Sequence, residues 1–204
     1  MIKDQKIIDF LNDLKSEAPA PGGGAVAALT GAQGAALVMM VANLTIGKKK
    51  YAEYEELNIR VRDEAQEVLN RLIQGIDDDK DAFTGVSNAY AMPKETEEEE
   101  KAARKKAIAD ASVNAGLAPL NACRAAVEGL RLNVQILGKS NKNLVSDLYV
   151  SALNLNACIQ AAKMNVLANT SYLADKEMAA SWEKEVAEIV KEADELTGTI
   201  LADA

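Results

Sequence analysis

Four aspartates stand within five positions, at Asp77, Asp78, Asp79 and Asp81, in a chain of 204 residues without histidine. Carboxylates this close repel one another, and a crowded carboxyl group can have a raised pKa and serve as an acid. Asp77 and Asp81 share one face at helical spacing. The usual Ser–His–Asp and Cys–His nucleophile schemes are excluded, so proton transfer falls to Asp, Glu, Lys, Tyr or Cys. A solvated surface run is the alternative, and the segment lacks calcium-loop spacing.

A second candidate is the glycine run in Pro19–Gly24, which precedes an uncharged stretch from Ala25 to Ile46. Glycines just before a helix leave free backbone amides at the positive end of the helix dipole, and such amides favour anions or polar heterocycles. The segment is not a P-loop, because no Gly-Lys-Ser/Thr follows at the required spacing. The alternative is a tight helix entry packed against another backbone.

Three consecutive lysines, Lys48, Lys49 and Lys50, follow the uncharged stretch. In a chain with a net charge of −8 they form a local positive region, suited to a substrate carboxylate or a polyglutamate tail. Solvated lysines near a helix C-terminus are the alternative. Asn43, at the end of a predicted buried helix, is expected to need a hydrogen-bond partner.

A fourth segment, Asn141–Asp147, contains Asn143 and precedes a helix with an unusual stripe. Small or polar residues follow Asp147 at helical spacing where a simple core helix would carry Leu and Ile: Ser151, Asn154, Cys158, Ala161 and Asn165. Such a stripe can line a pocket with hydrogen-bonding groups. A satisfied polar interface between helices is the alternative.

The composition excludes several classes of protein. With a net charge of −8 and 4% aromatic residues, the chain lacks the basic face and stacking aromatics of a nucleic-acid-binding protein. Cys123 and Cys158 match no metal-site spacing, and two lone thiols indicate a reducing compartment. Met1–Ser16 mixes charged and apolar residues, unlike a signal peptide. We therefore expect a cytoplasmic protein that binds neither nucleic acid nor metal.

Apolar residues recur at helical spacing along most of the chain, and no long stretch alternates with period two. An amphipathic helix is predicted over Lys3–Glu17, with one side carrying Ile7, Ile8, Leu11 and Leu14. The uncharged stretch is long enough to span a membrane, but its Ala, Gly, Thr, Gln and Asn content favours a central buried helix. We predict an all-α fold in one domain over residues 1–204, a multihelical bundle of about six helices, some long, with a kink at Pro119.

Five segments together resemble the family of formiminotetrahydrofolate cyclodeaminases and methenyltetrahydrofolate cyclohydrolases, which includes the cyclodeaminase domain of formiminotransferase-cyclodeaminase and stand-alone bacterial relatives. The segments are Ala18–Ala28 (APAPGGGAVAA), Ala42–Tyr51 (ANLTIGKKKY), Asp77–Phe83 (DDDKDAF), Met92–Arg104 (MPKETEEEEKAAR) and Asn141–Asp147 (NKNLVSD). They occur in the family's order and extend over most of the chain. Ala25 departs from the family, in which a serine often follows the three glycines.

The resemblance implies a multihelical homodimer with folate bound near the subunit interface, and no metal or redox cofactor. It implies one of two reactions. In cyclodeamination, the anilino nitrogen of formiminotetrahydrofolate attacks the formimino carbon, and ammonia leaves as methenyltetrahydrofolate forms. In cyclohydrolysis, water opens methenyltetrahydrofolate to formyltetrahydrofolate. Both reactions pass through a tetrahedral carbon between two nitrogens, and both need proton transfer and a polar wall.

On this resemblance, Asp147 is the first candidate for the general acid/base or for orienting the pterin, and Asp77 and Asp81 are second candidates. Replacement of Asp147 by asparagine is expected to lower turnover at least about tenfold. The substrate-binding candidates are Gly22, Gly23 and Gly24 through backbone amides, Asn43, Asn143 and Lys50 at the ligand, and Lys48 and Lys49 near its glutamate tail.

Cyclodeaminase is the first interpretation, and cyclohydrolase is the alternative that the sequence does not separate from it. A non-catalytic folate-binding helical protein is an alternative of another class, supported by Ala25 and by the unusual helix after Asp147. A third alternative, an unrelated helical adaptor, predicts no folate binding at all.

Overall fold

The computed structural model describes residues 1–93 and 98–202, and every regular element within them is helical. The six α-helices are α1 (Ile7–Leu14), α2 (Gly23–Asn43), α3 (Glu55–Ala91), α4 (Glu98–Ile136), α5 (Val145–Thr170) and α6 (Lys176–Leu201). Short 3-10 turns occur at Ile2–Asp4, Lys49–Tyr54 and Lys142–Leu144. The predicted all-α bundle of about six helices is confirmed. Part of the segment Met92–Arg104 lies outside the described residues.

α2 lies in the middle of the bundle and packs against α3, α4 and α5. Small residues let α5 approach it closely. A methyl group at Gly31 would lie 2.7 Å from Sγ of Cys158, and one at Gly34 would lie 2.7 Å from Cγ of Leu155. The Ser151 hydroxyl donates a 2.8 Å hydrogen bond to the Gly34 carbonyl at this closest approach. The prediction of a central helix buried by its neighbours is confirmed.

By length and composition, α2 is also a candidate membrane span within the described part of the chain. More than half of its most apolar window is nevertheless buried by the other helices. Helices at the centre of a bundle are apolar on all sides because neighbours cover all sides. The packing of α2 therefore accounts for its lack of charge.

The main core is built from apolar side chains of α2 to α6. Its largest fully buried members include Leu72, Leu120, Leu130, Leu148, Leu155 and Ile159. α6 covers α4 and α5, and two exposed ion pairs, Arg124–Glu185 and Arg131–Glu192, join it to α4. The arginines on α4 and the glutamates on α6 are each seven residues apart, so the two ion pairs match the register of the two helices. Each ion pair contributes little to stability at the surface.

Pro119 lies inside α4, as predicted. Proline has no amide hydrogen, so the helix lacks one backbone hydrogen bond at this position. α4 continues on both sides of Pro119 as one element, and the kink itself stays a prediction.

α1 packs on a different side from the predicted one. Ile7, Ile8 and Leu11 are 79%, 60% and 49% exposed, whereas Phe10 is buried. Phe10 belongs to a small second cluster with Ile2, Ala25, Ala28 and Ile76. The helix predicted over Lys3–Glu17 extends only over Ile7–Leu14. Of the predicted side, Leu14 packs against this cluster, but Ile7, Ile8 and Leu11 do not, because the short helix at the edge of the bundle contacts it through the flank that carries Phe10.

Candidate active site

A cavity of about 520 Å³ opens where the N-terminus of α2 meets α3, α4 and the C-terminal turns of α5. We call it the glycine cavity, because Gly22, Gly23 and Gly24 form part of its wall. Asp79 lines it from α3, and Asn165 and Asn169 line it from α5. The glycine run predicted as an anion or heterocycle site therefore borders a cavity of the size that small ligands occupy.

The local sequence explains the shape of this wall. Gly22 caps α2 with extended backbone, and the helix begins at Gly23. The first amides of a helix have no partner within it. One of them, the Ala25 amide, donates a 3.1 Å hydrogen bond to Oδ2 of Asp79. The Gly23 and Gly24 amides belong to the same first turn, at the positive end of the dipole of a 21-residue helix.

Gly24 is required by its contact with Asp79. A methyl group at this position would lie 2.5 Å from Cγ of Asp79, a distance that real Cβ atoms do not reach. The backbone of α2 and the carboxyl group of α3 therefore approach each other only because residue 24 has no side chain. By contrast, a methyl group at Gly22 would meet nothing within 4 Å.

Asp79 has the electrostatics of a proton-transfer group. Its pKa is raised above the usual value because burial disfavours the charged carboxylate, and the Ala25 amide opposes this shift only in part. A carboxyl group with a raised pKa at the wall of a cavity is a candidate general acid or base. Asp79 therefore combines the chemistry, the geometry and the access that catalysis needs.

The α5 wall of the cavity offers hydrogen-bond acceptors beside the glycines. Nδ2 of Asn165 donates to the carbonyl of Ala161, and Nδ2 of Asn169 donates to the carbonyls of Ala115 and Asn165. Asn169 thus uses both of its amide hydrogens and has its oxygen left as an acceptor, whereas Asn165 has its oxygen and one N–H left. Together with Asp79, these oxygens suit a ligand that presents N–H donors.

The two cysteines take no part in this site. Cys123 and Cys158 are buried and not bonded to each other. Burial raises the pKa of Cys123 to about 12 and also raises the pKa of Cys158. Both thiols therefore stay protonated near neutral pH, and neither is an activated nucleophile.

Asp79 is the candidate residue that the sequence pattern does not select. The shared helical face of Asp77 and Asp81 favours those two members of the aspartate run. The side of α3 that forms the glycine cavity instead carries Asp79, Phe83, Val86 and Tyr90. The spacing of an acid followed by apolar and aromatic residues on one helical face was the available signal.

Asp77 makes contacts that hold the N-terminal turn. It is buried, its Oδ1 accepts a 2.7 Å hydrogen bond from the Ile2 amide, and the Lys3 amide lies 3.4 Å from the same oxygen. The Lys3 ammonium lies 3.6 Å from Oδ2. Asp77 thus anchors the N-terminal turn to α3, and it does not line the glycine cavity.

We expect Asp77→Ala to lower the free energy of unfolding by about 1–3 kcal/mol, because the buried Ile2 amide loses its acceptor. Turnover by the folded protein should stay within about twofold of wild type. Urea denaturation and steady-state kinetics measure the two effects. A loss of turnover in fully folded Asp77→Ala would instead give this carboxylate a catalytic role.

Asp81 is exposed and faces a different groove. This groove, of about 440 Å³, lies between α3 and α4 and also contains Asp78, Asn114 and Asn121. Among the described residues, no group of three His, Cys, Asp or Glu side chains is arranged to hold a metal ion. Asp77 and Asp81, the second candidates for acid/base catalysis, therefore lie in different environments.

The other predicted residues lie at the far end of the bundle. α2 rises about 30 Å between Gly23 and Asn43. Asn43 is exposed, so water reaches its amide, and the hydrogen-bond partner expected for it need not come from the chain. Lys48, Lys49 and Lys50 follow it and are exposed as well.

A second cavity, of about 620 Å³, lies at this end of the bundle, and we call it the basic cavity. Its lining includes Lys50, Tyr51, Asn141, Lys142 and Tyr149. Asn143 is exposed beside it, and Asp147 lies in the first turn of α5. Asp147 is separated from Asn165 by about 27 Å of helix rise. Within one chain, the predicted site residues therefore form two groups at opposite ends of α2 and α5.

Comparisons with known proteins agree with the resemblance found in the sequence. The family model described as Formiminotransferase-cyclodeaminase matches residues 6–188. A methenyltetrahydrofolate cyclohydrolase from Methylorubrum extorquens is 43% identical over 201 residues, which cover 98% of this chain and 96% of that protein. A formimidoyltransferase-cyclodeaminase from Gallus gallus is 28% identical over 196 residues, which cover 95% of this chain but 36% of that protein.

The fold has a solved counterpart. The crystal structure of formiminotetrahydrofolate cyclodeaminase from Thermotoga maritima matches with a TM-score of 0.84 and 26% sequence identity, covering 99% of this chain and 98% of that chain. The family model, the full-length relative and this structure all match across nearly the whole chain. The chain belongs to the formiminotransferase-cyclodeaminase family.

Proposed function

We propose that this chain is a folate one-carbon enzyme that hydrolyses methenyltetrahydrofolate to 10-formyltetrahydrofolate. The observation that carries the proposal is the Asp79 carboxyl group, which has a raised pKa and contacts the first turn of α2 at the wall of a 520 Å³ cavity. The cyclohydrolase is favoured over the cyclodeaminase because the Methylorubrum relative, named for that activity, is 43% identical along its length.

The reaction consists of two proton-coupled steps. Water adds to the cationic carbon that bridges N5 and N10, and the bond between that carbon and N5 then breaks. The attacking water must lose a proton, N5 must gain one, and one proton is released overall. We assign the proton transfers to Asp79. The Gly23 and Gly24 amides are assigned as donors to the oxygen of the tetrahedral adduct.

Cyclodeamination of formiminotetrahydrofolate is the second candidate. It is favoured by the Thermotoga structure named for this activity, which has a TM-score of 0.84. The Asp79 carboxyl group and the backbone amides of the glycine cavity can serve this reaction as well. The terminal nitrogen of the protonated formimino group carries two hydrogens. N10 loses a proton as it attacks the formimino carbon, and the departing nitrogen gains that proton as ammonia leaves and the cationic methenyl product forms, so one carboxyl group accepts and returns the proton.

The absorbance of the methenyl compound separates the candidates. The purified protein is mixed with methenyltetrahydrofolate and, separately, with formiminotetrahydrofolate. Loss of methenyl absorbance well above the spontaneous rate supports cyclohydrolase, whereas gain of that absorbance with release of ammonia supports cyclodeaminase. If the absorbance changes in both assays match those without protein, the chain is neither a cyclohydrolase nor a cyclodeaminase. Folate binding by calorimetry then distinguishes a non-catalytic folate-binding protein from an unrelated helical protein.

The proposed chemistry moves protons and no electrons, so we propose that the tetrahydrofolate substrate is the sole small-molecule requirement. Asp79 and backbone amides supply acid/base and polar groups without a redox cofactor or metal. A cytoplasmic location is part of the proposal and is supported by two free, buried cysteines, since unpaired thiols persist in a reducing compartment.

We propose a homodimer in which the exposed face of α5 packs against its copy. Apolar residues three or four positions apart follow this face and are exposed: Val150, Leu153, Ala157, Ala161, Met164 and Leu167. A continuous apolar stripe on a surface helix is costly in water and typical of an interface. The self-complementary pairing expected of a two-fold dimer is satisfied when the two α5 helices run antiparallel.

Antiparallel pairing has a consequence for the active site. The C-terminal part of α5 lines the glycine cavity, and the N-terminal part adjoins Asn143 and the basic cavity. In the proposed dimer, the basic end of each subunit lies beside the glycine cavity of the other. The two groups of predicted residues, which are far apart in one chain, then contribute to one composite site near the subunit interface.

Leu153→Glu and Met164→Glu are each expected to convert the dimer into a monomer and to lower activity at least about tenfold, because a buried unpaired carboxylate is strongly unfavourable. Light scattering after size-exclusion chromatography measures the mass. Ala187→Glu, at an exposed position of α6, makes the same change of charge outside this face and should remain dimeric. A wild-type protein that is monomeric at micromolar concentration would contradict the proposal.

A subunit-mixing experiment tests the composite site. If Asp79 and Asp147 act in one site from different subunits, the single variants Asp79→Asn and Asp147→Asn should both be impaired. Mixing and reassociating them gives heterodimers with one intact site, and random pairing restores about a quarter of wild-type activity. No recovery in a mixture shown to contain heterodimers would contradict a site built from both subunits.

A further inference from the structure

Aromatic residues are concentrated at the mouth of the glycine cavity. The chain has one Trp, five Tyr and two Phe, and three of these eight residues, Phe83, Tyr90 and Tyr172, line this cavity. Their side chains are 48%, 53% and 73% exposed. Large exposed aromatic surface is unfavourable in water and gains most when a ligand covers it.

The three aromatic residues come from two sides of the cavity. Phe83 and Tyr90 lie seven residues, or two turns, apart on one face of α3, and Tyr172 lies in the turn that follows α5. They border a gap between two elements, instead of packing against each other within one. A flat ligand that enters this gap meets aromatic surface from both elements.

The backbones that carry the two tyrosines are held in place. Arg104 of α4 donates hydrogen bonds of 3.1 Å to the carbonyls of Tyr90 and Met92 and so fixes the end of α3. On the other side, the Tyr172 amide donates to the carbonyl of Asn169 at 3.0 Å, and the adjacent Leu173 is buried. The positions of the rings are therefore anchored through the main chain, while their faces stay open.

The chemistry of the walls indicates what the aromatic residues contact. Asp79, Asn165 and Asn169 offer oxygen acceptors deeper in the cavity, and the aromatic residues offer apolar faces nearer to solvent. Such a site suits a planar, conjugated ring system with N–H groups on its edge. The ring stacks on the aromatic faces, and the edge donates to the oxygens.

We propose that Tyr90 and Tyr172, with Phe83, form an aromatic clamp that stacks on the fused ring of the substrate and makes the site selective for it. This inference rests on the proposed function, because it assumes a folate in the glycine cavity. In the clamp, Tyr90 and Tyr172 act as positioning residues through their ring faces, and the proton chemistry is left to Asp79.

The test compares two ligands. Folic acid contains the fused ring and the aminobenzoyl-glutamate tail, and p-aminobenzoyl-glutamate contains the tail alone. Dissociation constants are measured by calorimetry and by quenching of Trp182, the single tryptophan, whose ring packs against Gly116 beside the cavity-lining Asn169. Wild type should bind folic acid more tightly than the tail, and the ratio of the two constants reports the contribution of the fused ring.

In the Tyr90→Leu/Tyr172→Leu double variant, the preference for folic acid over the tail should be about tenfold smaller, as expected for the loss of stacking. The melting temperature of this variant should stay at the wild-type value. Tyr90→Phe/Tyr172→Phe keeps the ring faces and should keep the ratio. In turnover assays the leucine variant should have a higher KM and a kcat within about twofold of wild type.

An unchanged ratio in the leucine variant, or no preference for folic acid in wild type, overturns the clamp. Failure of the proposed function has a different signature, since wild type would then turn over neither folate substrate.

Discussion

Asp79→Asn is expected to lower turnover of methenyltetrahydrofolate at least about a hundredfold, because general acid/base catalysis contributes factors of this size or larger. Asparagine preserves the shape of the side chain and an oxygen that accepts from the Ala25 amide. It removes the carboxyl group that can accept and donate a proton, so binding of substrate should change much less than kcat. The loss of methenyl absorbance under saturating and limiting substrate measures both quantities.

The matched control is Asp78→Asn, one position away on the exposed side of α3. Asp78 is exposed, and its Oδ1 accepts a hydrogen bond from Gln74, so this variant makes the same chemical change outside the glycine cavity. It should turn over substrate at nearly the wild-type rate. Equal losses in the two variants would indicate a general effect of charge on α3 and would remove Asp79 from the mechanism.

The raised pKa of Asp79 also predicts the pH dependence. If the carboxylate accepts a proton from water, activity must fall as pH drops through its pKa, and this acid limb should lie above the ordinary value of 3.8. The limb should be absent from the residual activity of Asp79→Asn. A pH–rate profile that is identical in shape for the two proteins would contradict the assignment.

The same shift has a consequence for stability. A pKa that is higher in the folded than in the unfolded state means that the folded state binds the proton more tightly. The stabilisation that the protonated Asp79 gives the fold is therefore complete below the pKa of Asp79 in the unfolded state. It is lost as the pH rises through the pKa of Asp79 in the folded state. At neutral pH the ionised Asp79 lowers the stability of the fold, so Asp79→Asn should be at least as stable as wild type while being far less active.

Gly24→Ala is expected to lower turnover at least about tenfold, because the added methyl group would occupy the position of the Asp79 carboxyl group, 2.5 Å from its Cγ. The Asp79 side chain can rotate away, so the protein should fold but lose the contact between α2 and the catalytic carboxyl group. Circular dichroism checks the fold, and steady-state kinetics measure the loss. The shift of the Asp79 pKa should also decrease as the carboxyl group becomes more solvated.

Two other glycines provide controls for this variant. Gly198 lies within α6, and a methyl group there would meet nothing within 4 Å, so Gly198→Ala should leave activity unchanged and slightly stabilise the helix. Gly22→Ala also introduces no close contact and should cost much less activity than Gly24→Ala. Full activity of Gly24→Ala would show that the contact between Gly24 and Asp79 is not needed for catalysis.

The sequence predicted those features that depend on local signals. Helical periodicity predicted the α-helices, and the proline and glycine residues of Pro19–Gly24 predicted the start of α2 next to a candidate site. The absence of charge from Ala25 to Ile46 predicted a central helix, because a helix covered on several sides has no place for charge.

The selection of Asp79 as the candidate carboxylate depends on a long-range contact and could not be predicted locally. Asp77, Asp79 and Asp81 are equivalent as sequence, and the hydrogen bond between Asp79 and Ala25 joins residues 54 positions apart. The way α3 rotates against α2 decides that Asp79 faces the cavity, that Asp77 holds the N-terminal turn, and that Asp81 faces solvent. Spacing alone carries no information about this rotation.

Exposed apolar faces are a second feature that periodicity does not resolve. Ile7 and Ile8 of α1, like Leu153 and Met164 of α5, follow helical spacing and yet are exposed in the single chain. An apolar stripe has the same pattern whether it packs inside a subunit or between subunits. The distance between the glycine cavity and Lys48–Lys50 likewise depends on the chain folding into long parallel and antiparallel helices.

A crystal structure of the protein with bound folic acid or with the formyl product would show whether the glycine cavity is the active site. We expect the fused ring in the glycine cavity, with an edge nitrogen within hydrogen-bonding distance of Asp79 and the ring faces against Tyr90 and Tyr172. A folate whose fused ring lies in the basic cavity beside Lys50, with the glycine cavity empty, would contradict it.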